Sequence, residues 1–394
     1  MNETELRRRI AAARMPGEDG AEQRAWATVR AAYETREQLP AGRRIPLRPL
    51  AAVAAVAVAV AVAVSPAGPA VGGWIRDTIG RERVVGVRPA RPALVSLAAP
   101  GQLLVASRTG VWVVNQDGSR RQVGAYDGAA WSPRGLFVVA WRGRQVVALD
   151  PDRTGAVHWS LSRERIGGAT WSPSGFRVAY LSGSSLRVVA GDGTGDGELA
   201  AQAAPVVPAW KPGARHVLAY ADPSGGVEVV DADTAAGLWR TPRGERPIRL
   251  EWTGDGRQLL VASRHALRFF EAPRRLITSI EIPSQLVATA AAVRPRSHDA
   301  AYAVFSGQAG RGSVFLYDGS SSRLLFSGSG RFDDLVWSPD GRFVLVGWAA
   351  ADEWVFIPGQ SGPRVRANAD IARQFDPGSR LLPAFPRVEG WCCA

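Results

Sequence analysis

The sequence predicts an all-β chain folded as a seven-bladed β-propeller, with six and eight blades as alternatives, preceded by a single transmembrane helix and a short helical cytoplasmic segment. Three observations predict it. First, Trp131-Ser132-Pro133-Arg134-Gly135 recurs as Trp171-Ser172-Pro173-Ser174-Gly175 and as Trp337-Ser338-Pro339-Asp340-Gly341, with looser copies at Trp210 and Trp252. Degenerate copies start at Leu97, Val293 and Phe375, and successive starts lie 34 to 44 residues apart. A steady period of about 40 residues with short strands in each unit is the signature of propeller blades. Second, each copy is followed by β-branched and aromatic runs separated by turn residues. Third, positions 49–75 carry no charged residue. The expected division is a cytoplasmic helical segment at 1–48, a transmembrane helix at 49–75, a linker at 76–92 and the propeller at 93–394.

At the amino end, residues 3–14 and 22–37 read as short helices separated by Pro16-Gly17-Glu18-Asp19-Gly20. In the second, Trp26, Val29 and Tyr33 make one narrow apolar stripe, suited to a neighbouring helix, a lipid surface or a docked cytosolic partner. From Leu50 to Val64 the chain is almost pure Ala and Val, and a helix over about 47–68 covers the roughly 30 Å of hydrocarbon. A cleavable signal peptide is the rival, but a polar leader of 48 residues is long for one. Arg43, Arg44 and Arg48 flank the inner side, while Arg76, Asp77, Arg81, Glu82 and Arg83 on the other are mixed in sign. The positive-inside rule then places the amino terminus in the cytoplasm and the propeller outside a cell membrane crossed once.

Within the blade that starts at Trp131, Leu136–Trp141, Val146–Leu149 and Val157–Leu161 are the expected strands, with turns at Arg142-Gly143-Arg144 and Asp150-Pro151-Asp152. The pattern repeats at Phe176–Leu181 and Leu186–Ala190, at Leu259–Ser263 and Leu267–Phe270, and at Phe343–Gly347 and Trp354–Ile357. A Trp at the end of each innermost strand fits the wedge between adjacent blades. Closing the ring requires a blade with strands from both ends of the repeat region, supplied by Val388–Cys393 or by Val84–Val87.

Trp-Ser-Pro-x-Gly, an apolar strand, and then a strand ending in Asp before a turn, as in Val229-Val230-Asp231 and Leu316-Tyr317-Asp318-Gly319, resembles the TolB-type propeller repeat, a relative of the WD-repeat class. The resemblance spans about residues 93–390. It implies the fold, and a family that includes protein-binding scaffolds, sensor domains and the propeller half of some serine peptidases. The membrane-anchored arrangement is similar to that of uncharacterised actinobacterial propeller proteins.

The formal charge of +12 is spread along the chain, almost all of it from Arg, with no run of five like charges and no basic patch interleaved with aromatics. No nucleic-acid partner is expected from that. The cysteines, Cys392 and Cys393, exclude a multi-bridge scaffold or a zinc site of ordinary spacing, and leave open a vicinal disulfide, two thiols or a bond to another chain.

No catalytic, cofactor-binding or metal-ligating residue is singled out. His158, His216, His265 and His298 fall at different points of their repeats and are expected at the surface or at strand edges. Asp192-Gly193-Thr194-Gly195-Asp196-Gly197 imitates a calcium loop but has Ala203 where the bidentate Glu belongs. The inner strands read as small or apolar, with Glu251 their one charged member. The expected function is a non-catalytic scaffold or sensor binding a protein or cell-envelope ligand, with residues 22–37 relaying to a cytosolic partner. Contact is expected through the loops after the second strand of each blade, including Arg108, Arg142, Arg264 and Gly307 to Ser313. The alternative is a propeller enzyme, a hydrolase or lyase acting at the channel mouth.

Overall fold

Alternating apolar runs, each long enough for one strand and stopped by glycine or aspartate turns, pair into seven four-stranded antiparallel sheets. The computed structural model describes residues 96–152, 156–360, 364–378 and 383–393. The expected cytoplasmic helices, the transmembrane helix, the linker and the Val84–Val87 strand lie outside the described residues. Among those described, no helix is long and apolar enough to cross a membrane.

Six blades are continuous in sequence: Gly128 to Ser162, Ile166 to Ala200, Ala209 to Arg240, Pro247 to Glu281, Leu286 to Ser329 and Asp334 to Ala369. They are numbered two to seven here, and in each the first strand is innermost. Blade one is composite. Its innermost strand is Arg387–Cys392, paired antiparallel with Gln102–Ser107, and Gly110–Val114 and Arg120–Gly124 follow outward. The innermost strands touch neighbour to neighbour around the whole ring, so seven blades close it.

The closing strand accounts for the degenerate copy at Leu97, which lacks a Trp. Its Trp is Trp391, at the other end of the chain, and Gly101 is the turn glycine that meets it. A Cβ on Gly101 would sit 2.5 Å from the Cys392 carbonyl oxygen, and its φ of +112 is a conformation that L side chains rarely adopt. The copy at Phe375 heads no blade. It is the last residue of a five-residue helix, Ile371–Phe375, and its ring is fully buried beside Trp112 and Trp354.

Why Trp-Ser-Pro-x-Gly recurs is visible in its hydrogen bonds. The Gly amide donates to the carbonyl three residues back, at 2.8–2.9 Å in the copies ending at Gly135, Gly175, Gly256 and Gly341. Each of these glycines has φ between 68 and 79, cheap only without a Cβ. The hydroxyl of Ser132, Ser172, Thr253 and Ser338 accepts the amide five residues on, each at 3.0 Å, which opens the next strand. That turn pushes the residue after the Gly into solvent in all four copies, so Leu136 and Phe176, expected inside strands, are 62% and 68% exposed and the strands begin at Val138 and Arg177.

The described residues share no single core. Seven apolar clusters occupy the seven seams between adjacent blades. The motif tryptophans pack into these seams, and three of them also staple blade to blade by a hydrogen bond, whereas the indole N–H groups of Trp131, Trp171 and Trp391 have no protein partner among the described residues. Trp210, Trp252 and Trp337 donate their indole N–H to the carbonyls of Thr170, Ala209 and Ala292 on the preceding blade, at 3.3, 3.1 and 3.0 Å. Lys211 lies over the Trp252 ring and Arg294 over the Trp337 ring, at 5.3 and 5.5 Å. Trp337→Ala is expected to cost about 3–5 kcal/mol and Trp337→Phe, which keeps most of the packing, about 1–2 kcal/mol. Urea unfolding followed by fluorescence measures both, and equal losses would contradict a stapling role for the N–H.

Candidate binding face at the channel mouth

In each blade the turn between the second and third strands lies beside the start of the innermost strand: Gly128 pairs with Trp141 next to the Arg142 turn, and Leu286 pairs with Ser306 next to the Gly307 turn. These turns and the entrance of the central channel therefore share one face. Two cavities open there. One, about 440 Å³, lies at the seam of blades one and two and is lined by Arg108 and Arg142 of two hairpin turns together with Arg387 of the closing strand. The other, about 230 Å³, lies in the channel against Arg249, Asp334, Arg387 and Glu389. Of the expected contact loops, Arg108 and Arg142 line the first cavity; Arg264 and the 307–313 hairpin line neither.

The expectation of an almost uncharged channel wall is corrected. Beside Glu251, the innermost strands bring Arg249, Asp334, Arg387 and Glu389 to the hub. Arg249 Nη2 is 3.4 Å from Glu251 Oε2, Arg387 Nη2 donates to Glu389 Oε1 at 2.9 Å, and Asp334 Oδ2 accepts the Val388 amide at 3.0 Å. Burial pushes the Asp334 carboxyl up to about 6 against the pull of the Val388 amide and Arg387. It pushes Glu389 up to about 7, opposed by Arg387 and Arg249 and reinforced by negative charge on Asp334. Desolvation also raises Glu251. Channel water still reaches 19% of the Glu389 side chain and 28% of the Glu251 side chain, so the penalty is that of a narrow wet tunnel, milder than a dry core.

Two signals hid this cluster. Asp334 is the first residue of its strand, one step before the Leu335-Val336 pair read as the wall. Glu389 sits at a register shift, where Leu104 pairs with Gly390 and Val105 with Val388, so Glu389 is the extra residue of a β-bulge. A bulge re-aims a side chain without any mark in the local sequence.

His216, expected at the surface or at a strand edge, directly precedes the strand Val217–Ala221, is 5% exposed and joins blades three and four. Its Nδ1 lies 2.6 Å from Asp233 Oδ2 and its Nε2 3.3 Å from Ser174 Oγ, an arrangement that imitates a hydrolytic triad. The repeats show what Ser174 does instead. Its place in the turn belongs to Asp255 and Asp340 in other copies, where the carboxylate accepts the hydroxyl two residues before and the amide two residues after. Ser174 likewise receives the Phe176 amide at 3.3 Å and lies 3.0 Å from Ser172 Oγ. With the Ser172 hydroxyl donating as in those copies, both lone pairs of the Ser174 oxygen are occupied and its proton points to His216. An oxygen bound in this way takes the place of the turn carboxylate and ties blade three to blade four through His216.

The loop imitating a calcium site is also engaged internally. Asp192 caps its own turn through the Thr194 amide and hydroxyl. Burial alone would raise the Asp196 carboxyl, but Arg187, Tyr180 and Arg163 all donate to it and hold it below the ordinary carboxylate range. His265 pairs with Glu245 and His298 with Asp255, while His158 meets the Phe137 ring edge-on. Cys392 and Cys393 are joined as a vicinal disulfide; Cys393 turns to φ 57 after the strand ends, which breaks the alternation expected of neighbouring strand residues.

No protein-family model matches the chain, and no curated protein matches it. The chain is similar in fold to solved β-propellers. A chain in the crystal structure of the mitotic checkpoint complex superposes with a TM-score of 0.50 at 16% identity, over 65% of this chain and 90% of that one. The β-propeller domain of Cps50 (Swd1) from Myceliophteria thermophila gives 0.49 at 16% identity, over 71% of this chain and 88% of that one. Hydrazine synthase of Kuenenia stuttgartiensis gives 0.49 at 12% identity, over 58% and 75%. At such identities the likeness bears on fold alone, and a seven-bladed β-propeller is the fold.

Proposed function

We propose that this chain is a non-catalytic binding propeller of the TolB type, held outside the cell by a membrane helix at residues 49–75, whose channel-mouth face engages a protein or cell-envelope ligand. The observation that carries the reading is the convergence of Arg108, Arg142 and Arg387 around an open cavity on the face that carries the turns between second and third strands. Loops on a rigid scaffold are where binding surfaces concentrate. The solved propeller chain in the mitotic checkpoint complex, a protein assembly by name, is a precedent for such a use of the fold. Residues 22–37 would relay occupancy to a cytosolic partner, and Trp-Ser-Pro-x-Gly supports the TolB-type kinship.

A photo-crosslinking residue placed at 142 or 264, on this face, is expected to capture envelope partners in living cells, whereas one at 257, on the opposite face, is not. Protease added to intact protoplasts is expected to remove the propeller and spare the first 48 residues. Adducts from 257 alone, or a protected propeller, would defeat the reading.

One observation favours a second reading, an enzyme at the channel mouth: Asp334 and Glu389 are carboxyls shifted toward neutrality within one cavity, as acid–base catalysis requires. It requires turnover of a model ester, glycoside or phosphoester that vanishes in Glu389→Gln.

A further inference from the structure

The arginine cavity at the seam of blades one and two has a composition that a solvated face does not need. Its three guanidiniums come from positions far apart in the chain, Arg108 and Arg142 on separate hairpins and Arg387 on the closing strand, so ring closure itself assembles them. Neutralisation within the protein is incomplete. Arg142 has no ion-pair partner among the described residues, and the nearest carboxylate to Arg108 is Asp376 at 3.9 Å. Arg387 divides its Nη2 between the Asp127 carbonyl at 3.0 Å and Glu389 at 2.9 Å. Asp127 is the one acid in the wall, and its Oδ2 already accepts the Gly143 amide at 3.0 Å.

Three like charges gathered on one concave surface repel one another unless a counter-charge joins them. The remaining polar wall also leans toward donors, since the Tyr126 phenol is protonated at neutral pH and burial only raises it further. Phe385, with Ala106 and Ala384, supplies an apolar side. A volume of about 440 Å³ falls in the range of small-molecule sites.

We infer that this cavity binds a small organic oxyanion, a carboxylate or phosphate ester whose acid group is clasped by Arg108, Arg142 and Arg387 and whose apolar body rests against Phe385. Guanidinium forks match both acids in geometry, and the charge-assisted bonds are the strong kind. The site does not depend on a protein docking on the same face, since its walls are complete within one chain.

The test uses the full-length chain and four probes, benzoate, phenyl phosphate, acetate and inorganic phosphate, titrated at constant ionic strength by calorimetry. Saturable one-to-one binding of benzoate or phenyl phosphate is expected, tighter than that of the bare anion with the same acid group; the better probe identifies the acid. Arg108→Gln and Arg142→Gln are each expected to weaken that binding about tenfold or more, with unchanged melting temperature. Arg275→Gln, which removes one charge on the opposite face, is expected to leave it unchanged. Absence of saturation with all four probes, or an equal loss in Arg275→Gln, overturns the inference. Either result leaves the crosslinking outcome at 142 and 264 to be judged separately.

Discussion

Ending the chain after Pro386 is expected to abolish cooperative folding of the propeller. The deletion removes the innermost strand of blade one, with Val388 and Trp391 buried to 7% and 8% exposure in the last seam core. Each such side chain is worth about 1.5–3 kcal/mol when buried. The loss is larger than their sum because the inner edge of Gln102–Ser107 is left bare and blades seven and two no longer meet through blade one. Native domains hold only about 5–15 kcal/mol in reserve.

Two milder variants separate closure from simple loss of bulk. Trp391→Ala is expected to fold and to lose about 3–5 kcal/mol. Gly101→Val places a branched side chain against the Cys392 carbonyl and is expected to expel the strand while leaving its sequence intact. A synthetic peptide of residues 383–394 added to the truncated chain is expected to restore cooperative melting, since the vacated edge presents the same register. A truncated chain that melts like the full one would show that the ring does not need this strand.

Raising the pH from 5 to 8 is expected to destabilise the propeller, and removing two channel carboxyls is expected to cancel much of the effect. Asp334 and Glu389 have folded-state values of about 6 and about 7, both above their ordinary 3.8 and 4.5. A carboxyl raised in this direction favours folding while protonated. Its contribution is fully present below about pH 4, and is lost as the pH climbs through 6 for Asp334 and 7 for Glu389. Each unit of displacement corresponds to about 1.4 kcal/mol, and channel water reduces the total to an order of 3 kcal/mol for the pair. Asp334→Asn with Glu389→Gln mimics the neutral forms at every pH. The double variant is expected to be more stable than the native chain at pH 8, with a flatter profile between 5 and 8. Melting temperatures at a series of pH values decide it, and parallel profiles would place the pH dependence elsewhere.

The turn chemistry of the blades was legible because it is local. Trp-Ser-Pro-x-Gly sets its own hydrogen bonds within six residues, and nearly every expected strand lies within one or two residues of the observed one. Leu136 and Phe176 were misplaced for a reason internal to the same motif: the left-handed glycine turns the next residue outward before the strand begins. Phe375 imitated a blade head because Phe-Asp-Pro-Gly-Ser contains the turn residues without the strand that should precede them.

By itself, then, the sequence determined the repeat, its period, the Trp staples and the need for a composite blade, because each depends on residues near one another in the chain. Which end supplies the closing strand, how Trp391 completes the copy at Leu97, and which charges meet at the hub were decided only by the tertiary structure. Ring closure brings Arg387 to Arg108 and Arg142, each more than 200 residues away in the chain, and a bulge turns Glu389 inward. Neither leaves a local trace, because side-chain direction and the meeting of distant strands are properties of the closed ring.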